Sequence, residues 1–278
     1  MGLYDFTFYD LINRNAVCFE NRSAWFEVDD GRALTFGQFK ETVDRFACGL
    51  QNSGIKKGDR IGVLGKNSLE YFLLYGAAAA LGAIILPINW RLSADEVIFN
   101  LNDCGPKVFF VDEEYQELTE GSKKKLSSVK DFYNLKIQGG KFLDIATLLK
   151  NNGDVEPADV SSDDGFVIIH TAAVAGRPRG ALLSHGNVLC ANMHLNYCFN
   201  LTSKDVHLNL LPLFHVVGLF MATNSFHAGA LNVNISKFEA SKAVELIEKE
   251  RVTLLFDFPP ILSSILKASE ETKGDIHT

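Results

Sequence analysis

Residues 168–187 read IIHTAAVAGRPRGALLSHGN. The apolar run Phe166–His170 predicts a buried strand, and Ala181–Ser184 predicts a second one. Between them lies a ten-residue connector that holds Gly176 and Gly180, residues that permit tight turns and close backbone approach. It also holds Arg177 and Arg179, whose guanidinium forks can pair with phosphate oxygens. Exposed amides beside a cation make an anion cradle. On spacing alone the plainer alternative stays open, a surface turn with two solvated arginines.

On either side, helix and strand signals alternate. Upstream, Thr35 and Gln38 form a capping box for a helix whose apolar stripe runs Phe36, Phe39, Val43, Phe46, Ala47 and Leu50. Arg60–Leu64 reads as a strand, Ser68 caps an Ala-rich helix ending near Gly82, and Ala83–Leu86 is the next strand. Ser93 and Glu96 form a second capping box, Lys107–Val111 is a strand, and Phe142–Leu149 reads as a helix. Downstream come a helix from Asn187 to Tyr197, a strand at Val206–Leu211, a helix at Gly218–Phe226 and a strand at Leu231–Ile235. An amphipathic helix at Ala240–Lys249, a strand at Thr253–Phe256 and a helix at Ile261–Ala268 complete the series. This alternation predicts an α/β fold, two lobes of mostly parallel sheets flanked by helices. The acidic, turn-rich stretch NNGDVEPADVSSDD at 151–164 is the expected boundary, giving lobes at 1–160 and 161–278.

Composition narrows the function classes. Of the 278 residues 47% are hydrophobic and 22% charged, which excludes a disordered chain or a disulfide-dense miniprotein. A net charge of −7 argues against a nucleic-acid partner, which needs a basic face. A small anion remains within reach of a locally positive loop. Five cysteines without zinc-type spacing and an N-terminus without a secretory signal predict buried, reduced thiols and a cytoplasmic location. The uncharged run Tyr71–Ile88 has the length of a membrane span, but its Ala and Gly content and Pro87 favour a buried helix followed by a strand, and no transmembrane segment is expected.

No Walker loop, G-x-G-x-x-G, G-x-S-x-G or H-E-x-x-H pattern occurs, and the scattered histidines predict no metal site. A second informative stretch is Leu210–Leu219, LLPLFHVVGL. His215 lies there at the end of an apolar strand, beside Phe214 and before Gly218. It can line a ligand pocket, or it is a core histidine satisfied by backbone.

Together these stretches resemble the adenylate-forming superfamily of acyl-CoA synthetases, luciferases and peptide-adenylation domains. The family's phosphate loop reads approximately Y-T-S-G-T-T-G-x-P-K-G-V, and residues 170–181 here read HTAAVAGRPRGA. Its next motif, P-L-F-H-x-x-G, is matched from Pro212 to Gly218. Leu34-Thr35-Phe36, Gly58-Asp59-Arg60 and the segment GAIILPINWRL from Gly82 to Leu92 look like its upstream elements, and the N-x-R-L turn favours the acyl-CoA ligase branch. The resemblance implies the fold of the large N-terminal domain of these enzymes. It also implies a two-step reaction, in which a carboxylic acid attacks ATP to give acyl-adenylate and pyrophosphate and CoA then displaces AMP. ATP, Mg2+ and CoA are the implied cofactors, and a small carboxylic acid is the implied substrate. Carried over, Thr171, Gly176, Arg179 and Gly180 would hold the phosphates, and His215 and Gly218 would line the acyl and adenylate pocket. Ser184, His185 and Asn187 would order the second strand and its following helix instead.

Two departures shape the expectation. Ala172, Val174 and Ala175 stand where the family carries hydroxyls, Ala173 replaces a glycine and Arg179 replaces the lysine. A hydrogen bond to a charged group is worth roughly 1.5–3 kcal/mol, so backbone amides and Arg179 would carry the load. The family's later motifs, including its catalytic lysine, have no match here. The expectation is an N-terminal portion of an AMP-forming acyl-CoA ligase, inactive alone. The alternatives are a non-catalytic acyl or CoA-binding module and a half-domain that assembles as a homo-oligomer.

Overall fold

The computed structural model of the protein describes residues 5–136, 140–151, 154–171 and 177–276. In chain order its first half holds α1 (Phe8–Cys18), β1 (Ser23–Glu27), β2 (Ala33–Thr35), α2 (Phe36–Asn52), β3 (Arg60–Leu64), α3 (Leu69–Leu81), β4 (Ile84–Ile88), α4 (Ala94–Cys104), β5 (Val108–Val111), α5 (Gln116–Ser122), β6 (Asp131–Asn134) and α6 (Ala146–Leu149). The second half adds β7 (Gly165–His170), β8 (Gly180–Ser184), α7 (His185–Phe199), β9 (Val206–Asn209), α8 (Val216–Ala228), β10 (Leu231–Asn234), α9 (Ala240–Glu250) and α10 (Pro259–Thr272).

Two sheets result, one ordered β6-β5-β3-β4-β7-β8 and the other β2-β1-β10-β9. All pairings are parallel except β1 with β2 and β7 with β8. The mostly parallel α/β architecture is therefore as expected, but the sheets do not divide at residue 160. β7 and β8 extend the sheet begun by β3–β6, while β1 and β2 join β9 and β10. The physical reason is a shared aromatic core. Trp25 stacks on Phe72 at 4.7 Å, and Phe8 packs against Phe72, Phe166 and Phe226, so side chains from both halves bury one another.

At the centre lies α3, with every residue buried. Ser68 caps its first turn, and Gly82 ends it in the left-handed region at φ 62°. The long uncharged run is thus a helix and a strand inside the core, and among the described residues no helix is long and apolar enough to cross a membrane. The thiols depart from expectation: Cys48 is buried and Cys104 half-buried, but Cys18, Cys190 and Cys198 are exposed. Thr253–Phe256 makes only one bridge, Leu254 to His207, because it runs into the two prolines that open α10. Phe142–Leu149 is helical only from Ala146, since Leu143 pairs with Tyr133 instead.

A chain of buried polar groups crosses the smaller sheet. Asn209 donates to Asn234, and Asn234 donates to the carboxylate of Glu27, which also accepts from Trp25 Nε1 and the Leu69 amide. Burial pushes the Glu27 carboxyl up to about 7, against the pull of these donors. Such an acid holds its proton more tightly folded than unfolded. Its contribution is therefore full below the ordinary value of 4.5 and fades as pH rises toward 7. Comparing urea unfolding at pH 5 and pH 8, the native chain should lose about 2–3 kcal/mol more than Glu27→Gln does; parallel profiles would contradict this.

Candidate functional site

The site builds from strand ends. In the larger sheet β3, β4 and β7 are adjacent and parallel, with Leu64 opposite Ile88 and Ile85 opposite Val167. Their carboxyl ends therefore lie side by side. The segment after β3 carries Asn67, the turn after β4 carries Trp90 and Arg91, and Thr171 follows β7. In the smaller sheet β9 and β10 are parallel with Asn209 opposite Asn234. After β9 comes the segment Leu210–His215, and after β10 comes Ser236–Phe238. Ligands in open α/β sheets sit outside the carboxyl ends of the strands.

A cavity of about 540 Å3 occupies this place. Its lining includes Asn67, Trp90, Arg91, Pro212, His215, Lys237, Phe238 and Phe258. An apolar wall with a few convergent polar groups is the usual build of a small-molecule site. Asn67 fixes one wall, its side chain donating to the Leu211 carbonyl at 2.9 Å and accepting from the Leu213 amide at 2.8 Å. Tyr75 of α3 adds a hydrogen bond to the Leu213 carbonyl. The segment Leu211–Leu213 is thereby tied to the core.

Arg91 is placed by an Asx turn, its amide donating to the Asn89 side chain. Its guanidinium lies 4.3 Å over the Trp90 ring and 5.8 Å from that of Phe214. A flat cation against two aromatic rings is held in orientation, not free to roam. His215 caps α8, its Nδ1 accepting from the Val217 amide. That contact leaves Nε2 as the protonated nitrogen. Burial, and secondarily Arg91, hold the imidazole below its ordinary pKa, so it is neutral at pH 7.

The sequence-derived phosphate residues fall in a second group. Thr171 and Arg179 meet at the neck of the connector: the Thr171 amide donates to the Arg179 carbonyl at 3.0 Å, and the Arg179 amide reaches Thr171 Oγ1 at 3.4 Å. Gly180 pairs with His170 one step below. Gly176 lies outside the described residues. Thr171 and Arg179 are both exposed, so the Arg179 guanidinium is available to an anion. None of the described neck residues lines the His215 cavity, but the neck leaves the strand next to β4, whose end supplies Arg91. Gly218 is not in the cavity wall either. It is buried against the backbone of Pro212, where an added Cβ would come within 2.2 Å of the carbonyl oxygen.

Ser184 and Asn187 form a capping box at the start of α7, and buried His185 accepts the Phe8 amide at 3.2 Å. These residues order the elements, as expected. Arg91 and Asn67 carried no role in the sequence reading. The N-x-R-L pattern was the available signal for Arg91; nothing local marks Asn67.

Comparison with known proteins identifies the family and the fold. The model of the AMP-binding enzyme family matches residues 12–277. An indoleacetate–CoA ligase of Aromatoleum aromaticum is 32% identical over 249 residues, covering 88% of this chain and 48% of the ligase. The long-chain fatty-acid–CoA ligase FadD13 of Mycobacterium tuberculosis is 29% identical, covering 95% of this chain and 52% of the ligase. A solved structure of a long-chain fatty-acid CoA ligase from Rhodopseudomonas palustris superposes with a TM-score of 0.91 at 40% identity, covering 96% of this chain and 67% of that one. The chain spans about half the length of the curated relatives it matches.

Proposed function

Since the chain belongs to the AMP-binding enzyme family, we propose that it forms part of an ATP-dependent, AMP-forming ligase that converts a small carboxylic acid to its acyl-CoA thioester. The observation that supports this reading is the convergence of strand ends from both sheets: Arg91 and His215 line one cavity there, and the connector neck leaves the strand next to the one that supplies Arg91. Acid activation needs an anionic nucleotide and a carboxylate brought together, and positioning with charge stabilisation supplies most of the barrier lowering.

In this reading Arg179 and the backbone at the neck meet the phosphates. Arg91 offers a fixed positive charge near the cavity, suited to two reacting anions that repel each other. Neutral His215 presents a flat face and an Nε2–H donor beside the aromatic wall, a surface for the acyl group and the adenylate. The carboxylate oxygen attacks the α-phosphorus, and pyrophosphate leaves with the electron pair of the broken P–O bond. The CoA sulfur then replaces AMP at the acyl carbon and its proton passes to solvent. Among the described residues no cluster of three ligating side chains is suited to Mg2+. Their one cluster of three ligating side chains contains a thiol and an imidazole, which do not suit Mg2+.

The test is pyrophosphate release by the full-length protein with ATP and a panel of aromatic and aliphatic acids. Release that depends on both supports the proposal. Tight acyl-CoA binding without release would favour the non-catalytic module. Arg179→Ala should raise the KM for ATP about tenfold or more, the worth of one charge-assisted contact, with a smaller change for the acid. His215→Ala should do the reverse. An unchanged ATP requirement in Arg179→Ala would remove this residue from the phosphate site.

A further inference from the structure

Outside that cavity, Asp103 and Cys104 at the end of α4 meet His170 at the end of β7. His170 Nε2 lies 3.5 Å from Asp103 Oδ2 and 3.9 Å from Cys104 Sγ, and the three donor atoms all lie within 4.8 Å of one another. We propose that these three side chains form a binding site for a borderline transition-metal dication of the Zn2+ class, clipping α4 to the neck of the connector.

The distances suit the metal. Tetrahedral Zn2+ with ordinary bond lengths separates a nitrogen from an oxygen ligand by about 3.4 Å and from a sulfur ligand by about 3.6 Å. The two separations from His170 need only a few tenths of an ångström of closure, and Asp103 with Cys104, within 4.8 Å of each other, at most about 1.2 Å by a turn of the exposed carboxylate. The donor set, one thiolate, one imidazole and one carboxylate, is selective for Zn2+ or Co2+ over Mg2+ and Ca2+.

A catalytic Cys–His–Asp relay would be arranged differently. There the carboxylate holds one imidazole nitrogen and the thiol meets the other. Here both partners converge on Nε2, while Nδ1 is buried with no partner. A bound dication would instead displace the thiol proton to solvent.

Two further features fit. Residue 180 has no side chain, and a Cβ there would meet both Cys104 Sγ and His170 Nε2 at 3.5 Å and collide with Ile168. The glycine therefore leaves open the side from which an ion and a fourth ligand, water, can enter. Asp103 is 45% exposed while His170 is 7% exposed, so the site has a wet mouth and a fixed base. Because His170 pairs with Gly180 and Thr171 with Arg179, an ion held here braces both strands of the neck.

The experiment is Co2+ titration of the full-length protein, with the exposed Cys18, Cys190 and Cys198 replaced by Ser. A saturable thiolate-to-cobalt absorption band at one equivalent, displaced by Zn2+, is expected. Cys104→Ser should abolish the band. Asp103→Asn, at a half-exposed position that leaves folding intact, should weaken binding at least about tenfold. No band up to millimolar Co2+, a band that survives Cys104→Ser, or unchanged affinity in Asp103→Asn would overturn the proposal.

Discussion

Gly218→Ala is expected to destabilise the chain by about 3 kcal/mol or more, at the upper end of overpacking substitutions. Residue 218 sits in the first turn of α8, and its added methyl would lie 2.2 Å from the Pro212 carbonyl oxygen and 2.8 Å from the carbonyl carbon. Neither is the tip of a flexible side chain. Relief requires moving the backbone of Leu211–Leu213, which Asn67 and Tyr75 pin from the other side. Of a total stability of roughly 5–15 kcal/mol, the loss is large. It also reaches the cavity, since Pro212 and His215 line it. The matched control is Gly121→Ala, in α5, where nothing lies within 4 Å of the new methyl. That substitution should stabilise, by up to about 1 kcal/mol from helix propensity. Urea denaturation of both variants reads the contrast; equal effects would refute the packing argument.

Acidification from pH 7 to pH 4 is expected to unfold the domain. Burial pushes His185, His207 and His227 from 6.5 down to about 4. His185 Nδ1 accepts the Phe8 amide, so a second ring proton has no acceptor there. His207 is fully buried and hydrogen-bonds Asn232 through Nδ1. His227 lies beside the Arg14 guanidinium, which adds repulsion to desolvation. The unfolded chain takes protons that the native state refuses. Each imidazole's contribution is therefore complete above 6.5 and lost as pH falls toward 4, about 3 kcal/mol apiece. Glu27 opposes this by up to about 3 kcal/mol over an overlapping range, so the net change is still a destabilisation comparable to the whole stability. Near-ultraviolet circular dichroism, which senses buried Trp25, should collapse between pH 6 and pH 4, and His207→Gln should move the midpoint lower. A native spectrum at pH 4 would show that these rings accept protons in place.

Local chemistry made most elements legible before the structure. Thr35 with Gln38 and Ser93 with Glu96 form the expected capping boxes, and β3 runs over the expected Arg60–Leu64. The first helix was missed although Thr7 and Asp10 cap it reciprocally, because Asp at the third position is shorter than the Glu or Gln the pattern seeks. β6 was missed because four residues, Asp131–Asn134, give too little periodicity to detect. The site divides along the same line. Glycines and arginines of the connector are local, and so could be named. Asn67 acts on Leu211 and Leu213, 144 and 146 residues away, and His170 meets Cys104 across 66. No window of sequence contains such pairs. That each sheet takes strands from both sides of residue 160 is hidden for the same reason, since nothing local says that β1 pairs with β10.

That pairing sets a schedule for biosynthesis. Glu27 meets Asn234 across 207 residues. At ribosomal speeds of roughly 5–20 residues per second, the β1–β2 hairpin waits about 10–40 s for its neighbour to be made. Through that interval β1 has an unfilled flank, and Phe8, Phe36 and Phe39 lack the ring of Phe226 that packs against them. The nascent chain therefore carries these rings and this strand flank uncovered until β10 is made, late in its synthesis.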